Sequence, residues 1–383
     1  MKLIDAIDVN PKETIKKGEI AKKIPMDKLQ PFCRDIPEFE LSEFSGGTKF
    51  KNGDTIMARI TPCLENGKTA MVNILHDNEV GFGSTEFIVF RAKEGITNPF
   101  YVYYLVCSPT VRDIAIKSMV GSSGRQRVQT DVVKNIELDL PDYDTQTKVA
   151  SILKSLDDKI AINSAINDNL EQQAQLLFNE FFFERKQIPN TWKKGCLLDI
   201  ANYLNGLAMQ KFRPLGNEIG IPVLKIKELR QGICDNNSER CSSNIKNDYI
   251  INDGDVIFSW SGSLLVDFWC GGICGLNQHL FKVSSDKYDK WFYYSWTKHH
   301  LKKFTSLASD MATTMGHIKR EELEKAEVLI PDKDDYNKIG TVLKPIYEAI
   351  ILNRIENRKL SVLRDSLLPK LMSGEIDVSN IEI

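Results

Sequence analysis

Residues Gln146 to Phe183 read QTKVASILKSLDDKIAINSAINDNLEQQAQLLFNEFFF. Alternate steps of four and three from Val149 reach Leu153, Leu156, Ile160, Asn163, Asn167, Leu170, Ala174, Leu177 and Phe181. Apolar residues at that spacing form the seam of a coiled-coil helix, interrupted here only by two asparagines. A shift of 190 carries the seam onto Ile339, Leu343, Ile346, Ile350, Asn353, Asn357, Leu360, Arg364, Leu367 and Leu371, both asparagines in step. Two apolar stripes in one chain most simply bury each other, so an intramolecular pair is expected. An antiparallel pair that brings polar seam residues together sets Asn163 against Asn357, Asn167 against Asn353 and Leu156 against Arg364. The asparagines then fix the register, and Asn163→Leu should stabilise the pair while loosening its alignment.

The segments around the helices repeat as well. Before the first helix, Lys51-Asn-Gly-Asp54 precedes a strand over Thr55 to Ile60, and a turn from Pro62 to Gly67 leads into Lys68 to Val72. Asn98-Pro99 opens a helix over Phe100 to Ser108, and a second helix runs from Pro109 to about Met119. A last strand covers Asn135 to Leu140, and Asp144 or Thr145 caps the long helix. In the second half Asn252-Asp-Gly-Asp255 precedes Val256 to Trp260, Tyr293-Tyr294 answers Tyr103-Tyr104, and Pro331 answers Pro141. The fold class is therefore α+β. Two mixed α/β heads, 1–143 and 187–332, are joined by two helical segments, 144–186 and 333–383, that form an antiparallel coiled coil with an internal pseudo-twofold repeat. The tail, Ser373 to Val378, is expected to pack near the start of the chain.

Composition narrows the classes. A chain of 383 residues with 42% hydrophobic residues suits two or three domains with full cores. No apolar run reaches signal-peptide or membrane-span length, which makes a cytoplasmic protein with no membrane contact the expectation. The eight cysteines show no zinc spacing, Cys270 and Cys274 coming nearest, and read as reduced and mostly buried. A net charge of −2 excludes an overall basic coat but not a local patch.

Catalytic motifs are absent in their full form. Asn98-Pro-Phe-Tyr101 with Gly81-Phe-Gly83 upstream lacks the second proline of an amino-methyltransferase, and a helix start explains it. Pro141-Asp142 before Lys148 lacks the further acid of a nuclease cluster, having Gln146 in its place. Gly121 to Gly124 lacks the Gly-Lys-Ser/Thr of a phosphate loop. Five histidines, with His299 and His300 adjacent on a helix surface, give no triad. No catalytic residue, metal or cofactor is expected.

What remains is binding. Arg59-Ile-Thr61, Lys68 and the loop holding Ser122, Ser123, Arg125 and Arg127 set cations among hydroxyls in the first head. The second offers Lys211, Arg213, Trp260, Ser261, Ser263, Thr313 and His317. Lys, Ser and Thr hold phosphates while Arg and Gln reach base edges in the major groove, so these types suit duplex DNA. On composition alone, plain solvated loops fit them equally well.

The chain resembles the DNA-specificity subunits of type I restriction-modification systems over nearly its whole length. Ala58-Arg-Ile-Thr-Pro-Cys-Leu-Glu-Asn-Gly-Lys68, Asn252 to Ile257, the two helices, and Leu363-Arg-Asp-Ser-Leu-Leu-Pro-Lys-Leu-Met-Ser-Gly-Glu-Ile376 carry the resemblance. It implies two target recognition domains on two helical repeats and no catalysis in this chain. It also implies two methyltransferase partners that use S-adenosylmethionine, and ATP-driven restriction subunits that translocate and cleave DNA. The expected function is recognition of a bipartite DNA site, one half per head. The alternatives are the specificity subunit of a fused nuclease-methyltransferase system and a coiled-coil scaffold joining two protein ligands.

Overall fold

Lys51-Asn-Gly-Asp54 and Asn252-Asp-Gly-Asp255 fold into the same turn. The amide of the first residue donates to the carboxylate of the last, at 2.7 Å for Asp54 and 2.9 Å for Asp255. Gly53 and Gly254 sit at φ +85° and +81°, a backbone region that a Cβ disfavours. Each turn delivers a buried strand, Thr55–Ala58 and Val256–Ser259, to the middle of a four-stranded sheet.

The computed structural model describes the chain except at residues 123, 236, 311–319 and 382–383. It divides into two compact units, Met1–Ala161 with Leu360–Ile383, and Ile162–Lys359. Both draw on two 40-residue helices, Tyr143–Phe182 and Lys333–Met372.

In the first unit one antiparallel sheet has the order Ile7–Val9, Phe87–Ala92, Thr55–Ala58, Thr69–Met71. A second has the order Glu40–Glu43, Ile20–Ile24, Gly81–Gly83, Thr48–Phe50, with its middle pair parallel. The second unit repeats both: Asn202–Asn205, Leu280–Ser284, Val256–Ser259, Leu265–Phe268, and then Arg240–Cys241, Ile221–Leu224, Cys274–Leu276, Ile250–Ile251, again with a parallel middle pair. Identical strand orders confirm the duplication as one of topology.

In the first unit a helix, Pro99–Cys107, closes the core. Asn98 accepts hydrogen bonds from the amides of Phe100 and Tyr101, and Pro99 follows at the first helical position, so Asn-Pro-Phe-Tyr is a helix start. Its residues Tyr101 to Val106 are all buried, packed with Leu3, Ala6, Val149 and Leu153. Complete burial of a side chain such as Leu153 is worth about 1.5–3 kcal/mol.

Within the second unit the long helices run antiparallel. Asn163 donates to Asn357 Oδ1 at 2.9 Å and to Glu356 Oε2 at 2.7 Å, and Asn353 donates to Asn167 Oδ1 at 2.9 Å. Within the first unit they are antiparallel too, with Arg364 facing Asp157.

Burial departs from the strict seam where the helices meet the heads. Asp157 is buried beside a half-buried Leu156, and Phe178 and Phe182 are buried beside half-buried Leu177 and Phe181. There the helix packs on a head core as well as on its partner, and a wider stripe follows the 3.6-residue period rather than 3.5. Arg364 accordingly meets Asp157 rather than Leu156.

Three further expectations change. Residues 135–140 form no full strand: Glu137 bridges Lys2, and Leu138 exchanges hydrogen bonds with Met1, whereas the second unit builds a ladder of Lys193–Cys196 on Glu327–Ile330. The cap of the first long helix is Asp142, whose carboxylate accepts from the Thr145 amide at 2.7 Å. His300 is buried, not on the surface, because its ring lies on the side of the helix that carries Trp296 and Phe304.

The tail enters the first core. Val378 is buried and Ile376 half-buried in the cluster that holds Leu3 and Ala6, and Lys148 Nζ donates to the Ser379 carbonyl. In the second unit Trp192 occupies the comparable place, donating from its ring to Asp335 at 3.0 Å near the start of the second long helix.

Candidate nucleic-acid interface

Two stretches of the first unit that lie far apart in sequence meet beyond the end of strand Thr55–Ala58. Ile60 and Val120 both bridge Arg127, Thr61 donates from its amide to the Gln126 carbonyl, and the Gln126 amide returns a bond to Thr61 Oγ1, both at 3.0 Å. This stitching seats Gln126 and Arg127 on Ile60 and Thr61. Arg127 sets its Nε and Nη2 against the Glu86 carboxylate at 2.6–3.0 Å, and Arg59 Nε stands 4.0 Å from the same group. Arg127 chiefly, with Arg59 adding, holds the Glu86 carboxyl below the usual carboxylate range against its partial burial. Arg59 also reaches the Val128 carbonyl at 3.4 Å. Ser122 and Arg125 are exposed on the loop. Position 123 lies outside the described residues.

Lys68 stands apart from this cluster. Its ammonium donates to the Met26 carbonyl at 2.8 Å, while its own carbonyl accepts from the Ala58 amide.

The same place in the second unit follows from strand register. Ala58 faces Phe87 in the first unit, and Ser259 faces Leu280 in the second. Arg59 therefore corresponds to Trp260, and Glu86 to His279. Trp260 donates from its ring to Asn205 Oδ1 at 3.1 Å, and His279 Nδ1 lies 3.2 Å from Ser261 Oγ. Gln278 Nε2 is 3.2 Å from the other ring nitrogen, and Ser263 is exposed nearby. Where the first unit carries two guanidinium groups on a carboxylate, the second carries, among the described residues, an indole, an imidazole, a carboxamide and hydroxyls.

Lys211 and Arg213 form a separate group. Both are exposed around a groove shared with Glu218 and Ser242. The Ser243 hydroxyl and amide, with Ser242, pull the Glu218 carboxyl down to about 2. Thr313 and His317 lie outside the described residues.

Sequence reading missed Glu86, His279, Gln278 and Asn205. Each takes its place from the sheet register, and the one available signal was that Glu86 and His279 immediately precede strands. Among the described residues no group of three or more His, Cys, Asp or Glu is placed to hold a metal, and no helix is long and apolar enough to cross a membrane.

A duplicated α+β scaffold thus keeps its strand order in both units while the side chains of corresponding loops differ. The family described as "Type I restriction modification DNA specificity domain" matches residues 2–172 and again 189–362, and the chain belongs to that family. Among its relatives, the type I restriction enzyme MjaIX specificity subunit of Methanocaldococcus jannaschii is 26% identical over 313 residues, covering 76% of this chain and 71% of that one. The HindI specificity subunit of Haemophilus influenzae is 21% identical over 403 residues, covering 85% and 87%. The solved S subunit of the type I restriction-modification system from M. genitalium shares the fold, with a TM-score of 0.58 at 12% identity over 97% of this chain and 95% of that one.

Proposed function

We propose that the chain is the DNA-recognition subunit of a type I restriction-modification complex, reading a bipartite duplex target with one half-site per recognition domain. Segments 1–143 and 187–332 supply those domains. The helical segments 144–186 and 333–383 set the gap between half-sites and dock two methyltransferase subunits. Restriction subunits join through that complex, in the cytoplasm, and methylation, ATP hydrolysis and cleavage reside in the partners. The observation that carries this reading is the exchange at corresponding loops, Arg59 and Glu86 for Trp260 and His279, on a shared strand order. Two copies of one scaffold with different loop chemistry suit two different half-sites.

The test is DNA binding by the chain with its methyltransferase partner across a salt series. Phosphate contacts release counterions, so the affinity for DNA should fall steeply, by about 10³–10⁵ between 50 and 200 mM salt for 6–10 contacts. A scaffold for protein ligands predicts no DNA binding at any salt. A fused nuclease-methyltransferase partner is told apart by the size of the protein that co-purifies.

A further inference from the structure

Glu86 does more than neutralise Arg127. Its carboxylate takes Nε and one hydrogen of Nη2, and among the described residues Nη1 makes no hydrogen bond. A guanidinium gripped along one edge keeps its Nη1–Nη2 end available as a fork, and the grip removes much of the freedom that an exposed arginine would lose on binding. Such a fork matches guanine, whose O6 and N7 accept a bidentate pair in the major groove. The backbone at Arg127 is itself held, since Gln126 bonds Thr61 and Arg127 bridges Ile60 and Val120. Arg127 is about half exposed and Glu86 only about a quarter, so the arginine is the outer member of the pair.

Among the described residues, the place in the second unit that corresponds to Arg59 and Glu86 holds no such fork. His279 stands where Glu86 stands and Trp260 where Arg59 stands, and the groups beside them are Ser261, Gln278 and Asn205.

Resting on the DNA-recognition role proposed above, we infer that Arg127, held by Glu86, reads a guanine in the half-site of the first unit. Arg59, with its Nε 4.0 Å from the same carboxylate, supports the grip from the inner side.

The experiment is selection of bound sites from a randomised duplex library, using the full chain with its methyltransferase partner, for the wild type, Arg127→Lys and Glu86→Gln. The wild type should select two half-sites, one containing a fixed guanine. Arg127→Lys keeps the charge but loses the fork, so preference at that guanine should fall about 5- to 150-fold while every other position stands. Glu86→Gln should keep the same base with weaker preference, because the fork is present but less firmly held. An unchanged consensus in Arg127→Lys overturns the inference and makes Arg127 a phosphate contact. Loss of both half-sites together also overturns it, since a local base contact leaves the other half intact. A wild type that selects no sequence sinks the DNA-recognition role itself.

Discussion

The guanidinium of Arg364 lies 2.7 Å from the carboxylate of Asp157, and both side chains are almost out of reach of water. Tyr104 donates its hydroxyl to the other carboxylate oxygen at 2.7 Å. The shift of 190 carries these residues onto Ala174, Tyr347 and Tyr294, all buried, with the Tyr347 ring edge-on to Tyr294 and its hydroxyl 2.9 Å from Ser295. The two units thus solve one packing problem in two ways, by an ion pair and by aromatic rings. Removing one member of a buried pair strands the other, so Asp157→Ala or Arg364→Ala should each cost the first unit about 3–5 kcal/mol. Arg364→Ala with Asp157→Tyr, which copies the second unit, should regain most of that. Urea unfolding of the three variants measures it, and a double variant no better than the sum of the singles would refute the copying argument.

The asparagine pairs alter one expectation. Asn163 supplies the hydrogens that Asn357 Oδ1 and Glu356 Oε2 share, so Asn163→Leu alone removes a donor from two acceptors. Both acceptors keep access to water, so the loss should destabilise the second unit by only about 0.5–1.5 kcal/mol. Asn163→Leu with Asn357→Leu should recover the loss and let the register slide, which cysteine cross-linking between neighbouring helix positions would detect as several products in place of one.

Protonation should act on the second unit first. Burial lowers the affinity of His300 for a proton, opposed by the Glu327 carbonyl 2.8 Å from Nε2. A histidine whose folded pKa is depressed leaves the unfolded chain as the better proton acceptor below about pH 6.5. Stability is then lost as pH falls from about 6.5, whereas carboxylates with lowered values weaken only below their ordinary pKa of about 4. Unfolding at pH 7.5 and 5.5 should show the second unit losing stability, and His300→Gln should reduce the loss.

The tail is part of a core. Truncation after Met372 removes Val378 from the cluster around Leu3 and Ala6, and should cost the first unit at least about 1.5–3 kcal/mol. Limited proteolysis should then cut residues 1–161 sooner and leave 162–359 unchanged.

The gap between half-sites should follow helix length if the helices set it. Each 40-residue helix spans about 60 Å, and a heptad added to both keeps the apolar seam while adding about 10 Å. That equals roughly three base pairs, which also rotate the second half-site by about 100°. Site selection should return the same half-sites with a longer gap and lower affinity. The original gap would assign the spacing to something other than the helices.

The long helices and the turns were legible because their signals are local. A seam repeats every seven residues, and Lys51-Asn-Gly-Asp54 closes on its own carboxylate. The recognition loops were legible only in part. Arg59, Thr61 and Arg127 could be named from residue type, but Glu86 lies 41 residues from Arg127 and joins it only through sheet register. His279 was hidden for the same reason. The apolar run at 135–140 suggests a full strand but does not reveal how little partner backbone lies beside it, a single bridge of Lys2 to Glu137.

The first unit is discontinuous in sequence, since its core joins residues 1–161 to Leu371 and Val378, while residues 162–359 form the other unit between them. A ribosome making this chain releases the second unit's residues in one uninterrupted run. The first unit must wait until residues 360–378 have been made before Arg364 can meet Asp157 and Val378 can enter its core. Until then its buried carboxylate and open apolar floor stand exposed. The unit begun before residue 162 is therefore completed only after the other, and its apolar core stays open longer during synthesis.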